Sequence, residues 1–256
     1  MSIGDRERAG MSVKSSGLAL LTVISIAVAL AACSSAGAGK VGASATGAAT
    51  GGASTAASPA ASTGAATTAV AIPTGYQRVG GSASGISLAV PHSWVSVNLA
   101  KQSLESAASK LDLPGINGST IVQDMQSLQK DHAVFAFDIA SAASNPNHYV
   151  RNLNAYCLPS GITDTGTAGV PFLAQATKSE LSTVASGITQ HDVVIGGVPG
   201  LETSYKLDSG SGADVQGAQL EVLPKPDVIC TVTLSFSSHQ TAGNYLAVAA
   251  ATAQFP

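Results

Sequence analysis

The stretch Val228-Ile229-Cys230-Thr231-Val232-Thr233-Leu234-Ser235-Phe236 carries the most apolar stripe in the folded part of the chain. Apolar side chains occupy every second position, and Thr231, Thr233 and Ser235 lie between them. Successive side chains of a strand point to opposite faces of its sheet, so this period of two predicts a strand with one apolar face. The stretch therefore favours a fold built around a sheet.

Three further segments precede this strand and predict an antiparallel meander. We expect strands at about 188–196, 200–208 and 216–223, joined by turns at Gly196–Gly200 and Ser209–Asp214. In the middle segment, one face carries Leu201, Thr203, Tyr205 and Leu207, and the other carries Glu202, Ser204, Lys206 and Asp208. The polar faces of this segment and of the first stretch predict that part of the sheet is exposed, either to solvent or to a partner.

The preceding part of the chain mixes strand and helix periodicities. We expect strands at 86–90, 94–99, 133–139 and 150–158, and helices at 104–111, 121–128, from Pro171 to about Ser186, and around Tyr245–Ala249. Because Pro91-His92-Ser93 is typical of a turn, we expect the second strand to return beside the first.

Near the N-terminus, Leu30-Ala31-Ala32-Cys33 closes an apolar run that begins at Gly17 and follows Lys14. This segment resembles the lipobox of bacterial lipoproteins, in which the cysteine thiol receives a diacylglycerol and a peptidase cuts just before it. The resemblance implies a signal peptide over 1–32 and lipid attachment at Cys33, outside the cytoplasmic membrane. An uncleaved membrane anchor is the alternative, but the run is shorter than the ~20 apolar residues of a spanning helix.

Residues 33–73 begin with Cys33, and the residues that follow it are almost entirely Ala, Gly, Ser and Thr. Such side chains bury too little apolar surface to offset the entropy of ordering. We therefore expect a flexible, disordered tether that carries a folded domain over 74–256. With signal peptide, tether and domain in this order, the only predicted membrane contact is the N-terminal lipid.

The predicted order of elements resembles the PsbP-like fold, an α+β fold that forms an α/β/α sandwich around an antiparallel sheet. The resemblance rests on the opening strand-Pro-x-x-Trp motif of Gly85–Trp94, on Val198–Tyr205, and on Cys230–Leu234 followed by a helix. Together with the lipobox and tether, the chain resembles the LpqN/LpqT-type lipoproteins of high-GC Gram-positive bacteria. That resemblance implies a non-enzymatic binding or accessory role at the cell membrane, facing away from the cytoplasm.

Two cysteines remain once Cys33 is assigned to the lipid, so Cys157 and Cys230 have only each other as disulfide partners. Export places them where oxidation is permitted, and both lie on the apolar sides of their predicted strands. We expect a disulfide, with Cα atoms about 4.4–6.8 Å apart. The alternative is a pair of free buried thiols.

Charge and motifs exclude several classes of function. A net charge of −3 with 11% charged residues offers no basic patch for nucleic acid. Gly81-Ser82-Ala83-Ser84-Gly85 lacks the spacing of a nucleophile elbow and precedes a strand. No histidine is spaced from another histidine or a cysteine as metal ligands are; the histidines are His92, His132, His148, His191 and His239. Asp208 and Asp214 flank a turn that is more typical of a hairpin than of a cation site.

These observations predict no catalytic residue, no metal and no cofactor. We interpret the chain as a non-enzymatic binding or accessory module whose partner is an envelope protein or ligand. The alternative is an envelope lipid or glycan hydrolase whose catalytic residues are too scattered in the sequence to form a motif.

Overall fold

The computed structural model describes residues 70–103, 106, 125–126, 128–144, 149–207 and 214–256. The predicted signal peptide, Cys33 and the tether up to residue 69 lie outside the described residues. So do most of the two helices expected at 104–111 and 121–128, together with His148 and Asp208.

The described residues include nine strands, two complete α-helices and three short 3-10 helices. The strands are β1 Tyr76–Gly81, β2 Ile86–Pro91, β3 Val95–Asn98, β4 Val134–Asp138, β5 Arg151–Pro159, β6 Ala185–Ile195, β7 Val198–Leu207, β8 Val215–Lys225 and β9 Val228–Ser237. The helices are α1 Val170–Leu181 and α2 Tyr245–Thr252, and the 3-10 helices are Ser82–Ser84, Ile139–Ser144 and Gly166–Ala168. In this part of the chain, no helix is long and apolar enough to cross a membrane.

Seven strands form one antiparallel sheet in the order β3-β4-β5-β9-β8-β7-β6. The apolar stretch that begins at Val228 becomes β9, in the middle of this sheet. The predicted meander is confirmed as β6 to β9, with bounds within three residues of those expected. Gly196 and Gly197 connect β6 to β7 with φ angles of 58° and 84°, as a two-residue hairpin turn requires. The chain thus has a sheet-rich α+β fold.

The pairing expected for the strand at 94–99 is wrong. β2 pairs with β1 in a separate two-stranded sheet, whereas β3 pairs with β4 at the edge of the large sheet. The sequence gives little sign of β1, because Val79 is its only aliphatic side chain. β3 joins the large sheet because Val97 packs with Phe135 in one buried cluster.

The helix that contains Pro171 ends at Leu181, five residues before the predicted end at Ser186. The hydroxyls of Ser182 and Thr183 bond back to carbonyl oxygens three residues earlier, each at 2.8 Å. Such local bonds compete with continued helix. The chain then enters β6, the edge strand beside β7.

One face of the large sheet is covered by α2 and the two-stranded sheet, and its core is apolar. Val232 and Leu234 of β9 belong to the same buried cluster as Leu88 of β2 and Leu246 of α2. Trp94 is buried there too, with its ring centroid 4.9 Å from that of Tyr245. This face supplies much of the hydrophobic stabilisation of the domain.

The opposite face of the sheet is covered by α1 at one end and by Met125 and Leu128 at the other. Leu173 of α1 packs against Leu201 of β7, and Met125 and Leu128 pack with Phe135 of β4. Between these two apolar clusters, the central strands carry polar side chains. This buried polar region of the sheet is the candidate site.

Candidate functional site

Eight buried polar side chains occupy the middle of the sheet face that α1 covers. We call them the polar band, and they are Asn152, Asn154, Thr203, Gln219, Glu221, Thr231, Thr233 and Ser235. They come from β5, β7, β8 and β9, the four central strands. Burying so many polar groups is costly unless each finds a hydrogen-bond partner.

Strand register brings the polar band together across the sheet. Asn154 pairs with Thr233, Thr233 pairs with Gln219, and Gln219 pairs with Thr203. Residues paired in this way point to the same face, so the four side chains form one continuous row. Partly buried Gln190 extends the row to the edge strand, where its Nε2 donates to Thr203 Oγ1 at 3.3 Å.

Glu221 is the acidic member of the polar band and is fully buried. Its Oε2 accepts a hydrogen bond from the Thr177 hydroxyl of α1. Burial raises the pKa of this carboxyl to about 7, although the hydrogen bonds from Thr177 and Gln219 lower it. Among the described residues, Glu221 takes part in no ion pair.

Three oxygens of the polar band lack a hydrogen-bond partner among the residues that the structure describes. They are Oδ1 of Asn152, Oδ1 of Asn154 and Oε1 of Glu221. The amide of Asn152 is oriented by its Nδ2, which donates to the Val150 carbonyl oxygen at 3.1 Å. All three oxygens are hydrogen-bond acceptors, so a group that bonds to them must be a hydrogen-bond donor.

Three buried tyrosines surround the polar band. Burial raises the pKa of Tyr149 to about 12, and it also raises the pKa values of Tyr156 and Tyr205. Their hydroxyls therefore stay neutral near neutral pH. The ring of Tyr205 lies directly over Gly217, where an added Cβ would come within 2.3 Å of it.

The structure divides the six polar residues that were expected on an exposed face. The expectation of exposure is wrong for three of them, which are buried on the sheet face that α1 covers: Thr231, Thr233 and Ser235. Glu202 and Ser204 are partly exposed and Lys206 is exposed, all on the opposite face. Alternation identified the two faces of each strand, but it gave no sign that the threonine face was covered.

Cys157 and Cys230 form the predicted disulfide. They lie directly opposite each other in β5 and β9, with Cα atoms 4.1 Å apart. This distance lies just below the expected range, and it is close to the Cα spacing of about 4.5 Å of the closer pairs in an antiparallel ladder. Both cysteines pack in the apolar cluster with Val232 and Leu246, so they point to the α2 face, away from the polar band.

The disulfide lines a cleft of about 410 Å³ at the end of the sheet. Lys130 and Lys225 contribute positive charge to this cleft, whereas Asp131 contributes a carboxylate. Since both signs are present, the cleft has no charge preference that would identify a ligand.

The side chains of the described histidines make two polar contacts with other described residues. His132 Nδ1 lies 3.0 Å from the Ala83 carbonyl oxygen, and His191 Nε2 lies 3.4 Å from Glu202 Oε2 on an exposed surface. Throughout the described ranges, no group of three or more His, Cys, Asp or Glu side chains is placed to hold a metal ion.

No protein-family model matches the chain, and no curated protein matches it. Among solved structures, it is similar to the solution structure of cyanobacterial PsbP (CyanoP) from Synechocystis sp. PCC 6803. The TM-score is 0.36 and the identity is 12%, over 71% of this chain and 93% of that chain. The likeness is weak, and it carries no argument about function.

Proposed function

We propose that this chain is an envelope lipoprotein whose folded domain binds a small polar ligand in the polar band. In this proposal Cys33 carries the lipid, residues 34–73 form the tether, and the domain performs no catalysis. The protein lies on the outer face of the cell membrane, and it does not bind nucleic acid.

The finer family assignment is part of the same proposal. The lipobox at Leu30–Cys33 and the strand-Pro-x-x-Trp opening at Gly85–Trp94 favour an LpqN/LpqT-type lipoprotein. The packing of α1 and α2 on opposite faces of the large sheet favours a PsbP-like α/β/α sandwich.

The observation that carries the binding function is the set of three buried acceptor oxygens on Asn152, Asn154 and Glu221. Leaving a buried acceptor without a donor costs roughly 1–3 kcal/mol. A domain with a stability of only about 5–15 kcal/mol rarely retains such a cost without a use. In this proposal the use is ligand binding, in which the ligand donates hydrogen bonds to these oxygens.

The chemistry of the polar band favours binding over hydrolysis. A hydrolytic site needs a nucleophile within hydrogen-bond reach of a base, and the base needs a group that orients it. Glu221 accepts a hydrogen bond from Thr177, but the described His–carboxylate pair, His191 with Glu202, lies on the other face of the sheet. The described residues therefore favour a binding module.

Native mass spectrometry of the full-length lipoprotein, purified in a polyoxyethylene detergent, tests the binding function. We expect the wild-type protein to retain a small molecule in addition to its lipid. Asn154→Leu should lose that molecule, because it removes an acceptor while keeping a similar side-chain shape. Asn98→Leu is the matched control on β3, outside the polar band, and should retain it.

Two results would contradict the binding function: no retained molecule on the wild-type protein, or equal retention by Asn154→Leu. The lipid anchor is tested separately with Cys33→Ala. That variant should lack the lipid mass and move from the detergent phase to the aqueous phase, since the lipid is the proposed membrane contact. A variant that remained lipidated would overturn the assignment of Cys33.

A further inference from the structure

The outer edge of β6 is an unpaired strand edge. β6 is the last strand of the large sheet and lies beside β7. Within the described part of the chain, the backbone of residues 189–194 forms backbone hydrogen bonds with β7 alone. An unpaired edge of this kind is a template on which another strand can form.

The hairpin turn determines which residues of β6 direct their backbone groups outward. Ile195 and Val198 flank the two-residue turn, so they form a hydrogen-bonded pair. Hydrogen-bonded and non-hydrogen-bonded pairs alternate along an antiparallel ladder. In agreement, the next pair joins Val194 to Pro199, which has no N–H to donate. The backbone groups that face away from β7 therefore belong to every second residue: Gln190, Asp192 and Val194.

The side chains of these three residues lie on the α1 side of the sheet. Gln190 donates to the Ala174 carbonyl oxygen of α1 at 3.0 Å, and positions two residues apart on a strand share a face. Asp192 is exposed, and Val194 is 64% exposed, more than any other large apolar side chain described. Both also line an open cavity of about 390 Å³, together with Val170 at the start of α1. An aliphatic side chain placed beside Val194 would partly fill that cavity.

Asp192 has no counter-charge among the described residues. Their ion pairs are Arg151–Asp138 and His191–Glu202. His191 is the neighbour of Asp192 in the chain, so its side chain points to the opposite face of the strand. Oppositely charged side chains that lie directly across two strands stabilise the pairing, and like charges destabilise it. The edge therefore favours a strand with a Lys or Arg opposite Asp192.

A second copy of β6 does not supply that positive charge. The α1 side of β6 carries Ile188, Gln190, Asp192 and Val194, and so no Lys or Arg. In an antiparallel pair of two copies, each Asp192 would lie opposite an uncharged residue or the other Asp192. The charge pattern therefore favours a different chain over a dimer.

We propose that the β6 edge binds an extended segment of another envelope protein, which adds an eighth antiparallel strand to the sheet. The segment carries a Lys or Arg opposite Asp192 and, two residues earlier, an aliphatic side chain opposite Val194. Backbone hydrogen bonds supply the affinity, and the two side-chain positions supply the specificity. This surface lies outside the polar band, so the inference does not depend on the ligand proposed there.

Fluorescence polarisation with labelled peptides tests the charge preference on the full-length lipoprotein in a polyoxyethylene detergent. The probe is a peptide of threonine and serine with blocked ends, one valine and, two residues later, one lysine. A matched peptide has glutamate in place of lysine. We expect the lysine peptide to bind roughly threefold or more tightly than the glutamate peptide, and Asp192→Lys to reverse this preference.

Asp214→Lys is the matched control, because it changes the net charge by the same amount. Asp214 is exposed and lies near Ser186, at the other end of β6 from Asp192. This variant should therefore keep the wild-type preference for the lysine peptide.

Backbone methylation of the peptide separates strand addition from charge attraction. Methylation of the lysine backbone nitrogen removes a donor that faces β6, whereas methylation of the next residue removes one that faces away. The first change should abolish binding, and the second should leave the affinity within about threefold. The outward amides of Gln190, Asp192 and Val194 should exchange with solvent about tenfold more slowly when the lysine peptide saturates the protein.

The proposal is overturned by equal affinities for the lysine and glutamate peptides, or by no binding of the lysine peptide at up to about 1 mM. Equal losses from the two methylations would show that the peptide does not bind as a strand. Slow exchange of the outward amides without peptide would show that a second copy or the tether already covers the edge.

Discussion

At the scale of single residues, Gly85 shows how closely the disulfide is packed. Its φ angle is +69°, and an added Cβ would lie 2.9 Å from Cβ of Cys157 and 3.1 Å from its Sγ. Two separate costs therefore oppose a side chain at this position: the left-handed backbone and the contact with the disulfide.

Gly85→Ala should lower the free energy of unfolding by roughly 1–3 kcal/mol. Gly161→Ala is a matched control, because Gly161 has the same φ of +69° but nothing within 4 Å of its Cβ position. It should show the backbone cost alone, so the difference between the variants measures the contact with Cys157. Urea unfolding of both variants gives the comparison. Equal losses would show that the disulfide does not restrict Gly85.

At the scale of elements, the sequence predicted where the strands lie better than it predicted which strands pair with each other. β5 and β7–β9 have regular alternation, so their bounds could be read from the period alone. The pairing of β3 with β4 depends on packing between Val97 and Phe135, which are far apart in sequence. β1 has a single aliphatic side chain and therefore no periodic signal.

The polar band was not predicted, and the reason is physical. Alternating Thr and Ser side chains look the same in sequence whether water or a helix covers them. Burial of Thr231 and Thr233 depends on where distant elements dock onto that face, which no local pattern contains. A fully buried Glu221 on β8 contradicts the usual one-sided polarity of an antiparallel strand. The disulfide was predictable because only two cysteines were left to pair.

Burial of Glu221 of β8 beneath α1 should make the domain less stable as pH rises. Glu221 has a pKa of about 7 in the folded protein, against 4.5 as its ordinary value. The folded protein therefore binds this proton more tightly than the unfolded chain does, and stability falls between about pH 4.5 and about pH 7. The expected loss from this one group is about 3 kcal/mol.

Glu221→Gln removes the titrating group, so its free energy of unfolding should lack that loss over the same pH window. Thr177→Val removes a hydrogen bond that lowers the pKa, and the decline should then extend to higher pH. Urea unfolding across the window measures both variants. A Glu221→Gln protein with the wild-type pH dependence would contradict the role given to this carboxyl.

At the scale of the whole molecule, the disulfide fastens two distant parts of the chain that meet at the centre of the sheet. Cys157 and Cys230 are 73 residues apart, and α1 and β6–β8 lie between them. β5 and β9 are already paired over eight residue pairs in the folded state. The bond therefore acts mainly by restricting the unfolded chain, and the folded topology does not depend on it.

The double variant Cys157→Ala/Cys230→Ala should fold to the same structure but lose about 4 kcal/mol of stability, the chain-entropy value for a loop of this length. Because both cysteines point away from the polar band, the variant should still retain the small molecule under native mass spectrometry. Wild-type protein kept in a reductant is the control and should lose a similar amount in urea unfolding. Unchanged stability in the double variant would mean that the unfolded chain gains little freedom when the bond is absent. Loss of the small molecule would show that the two faces of the sheet are coupled through β5 and β9.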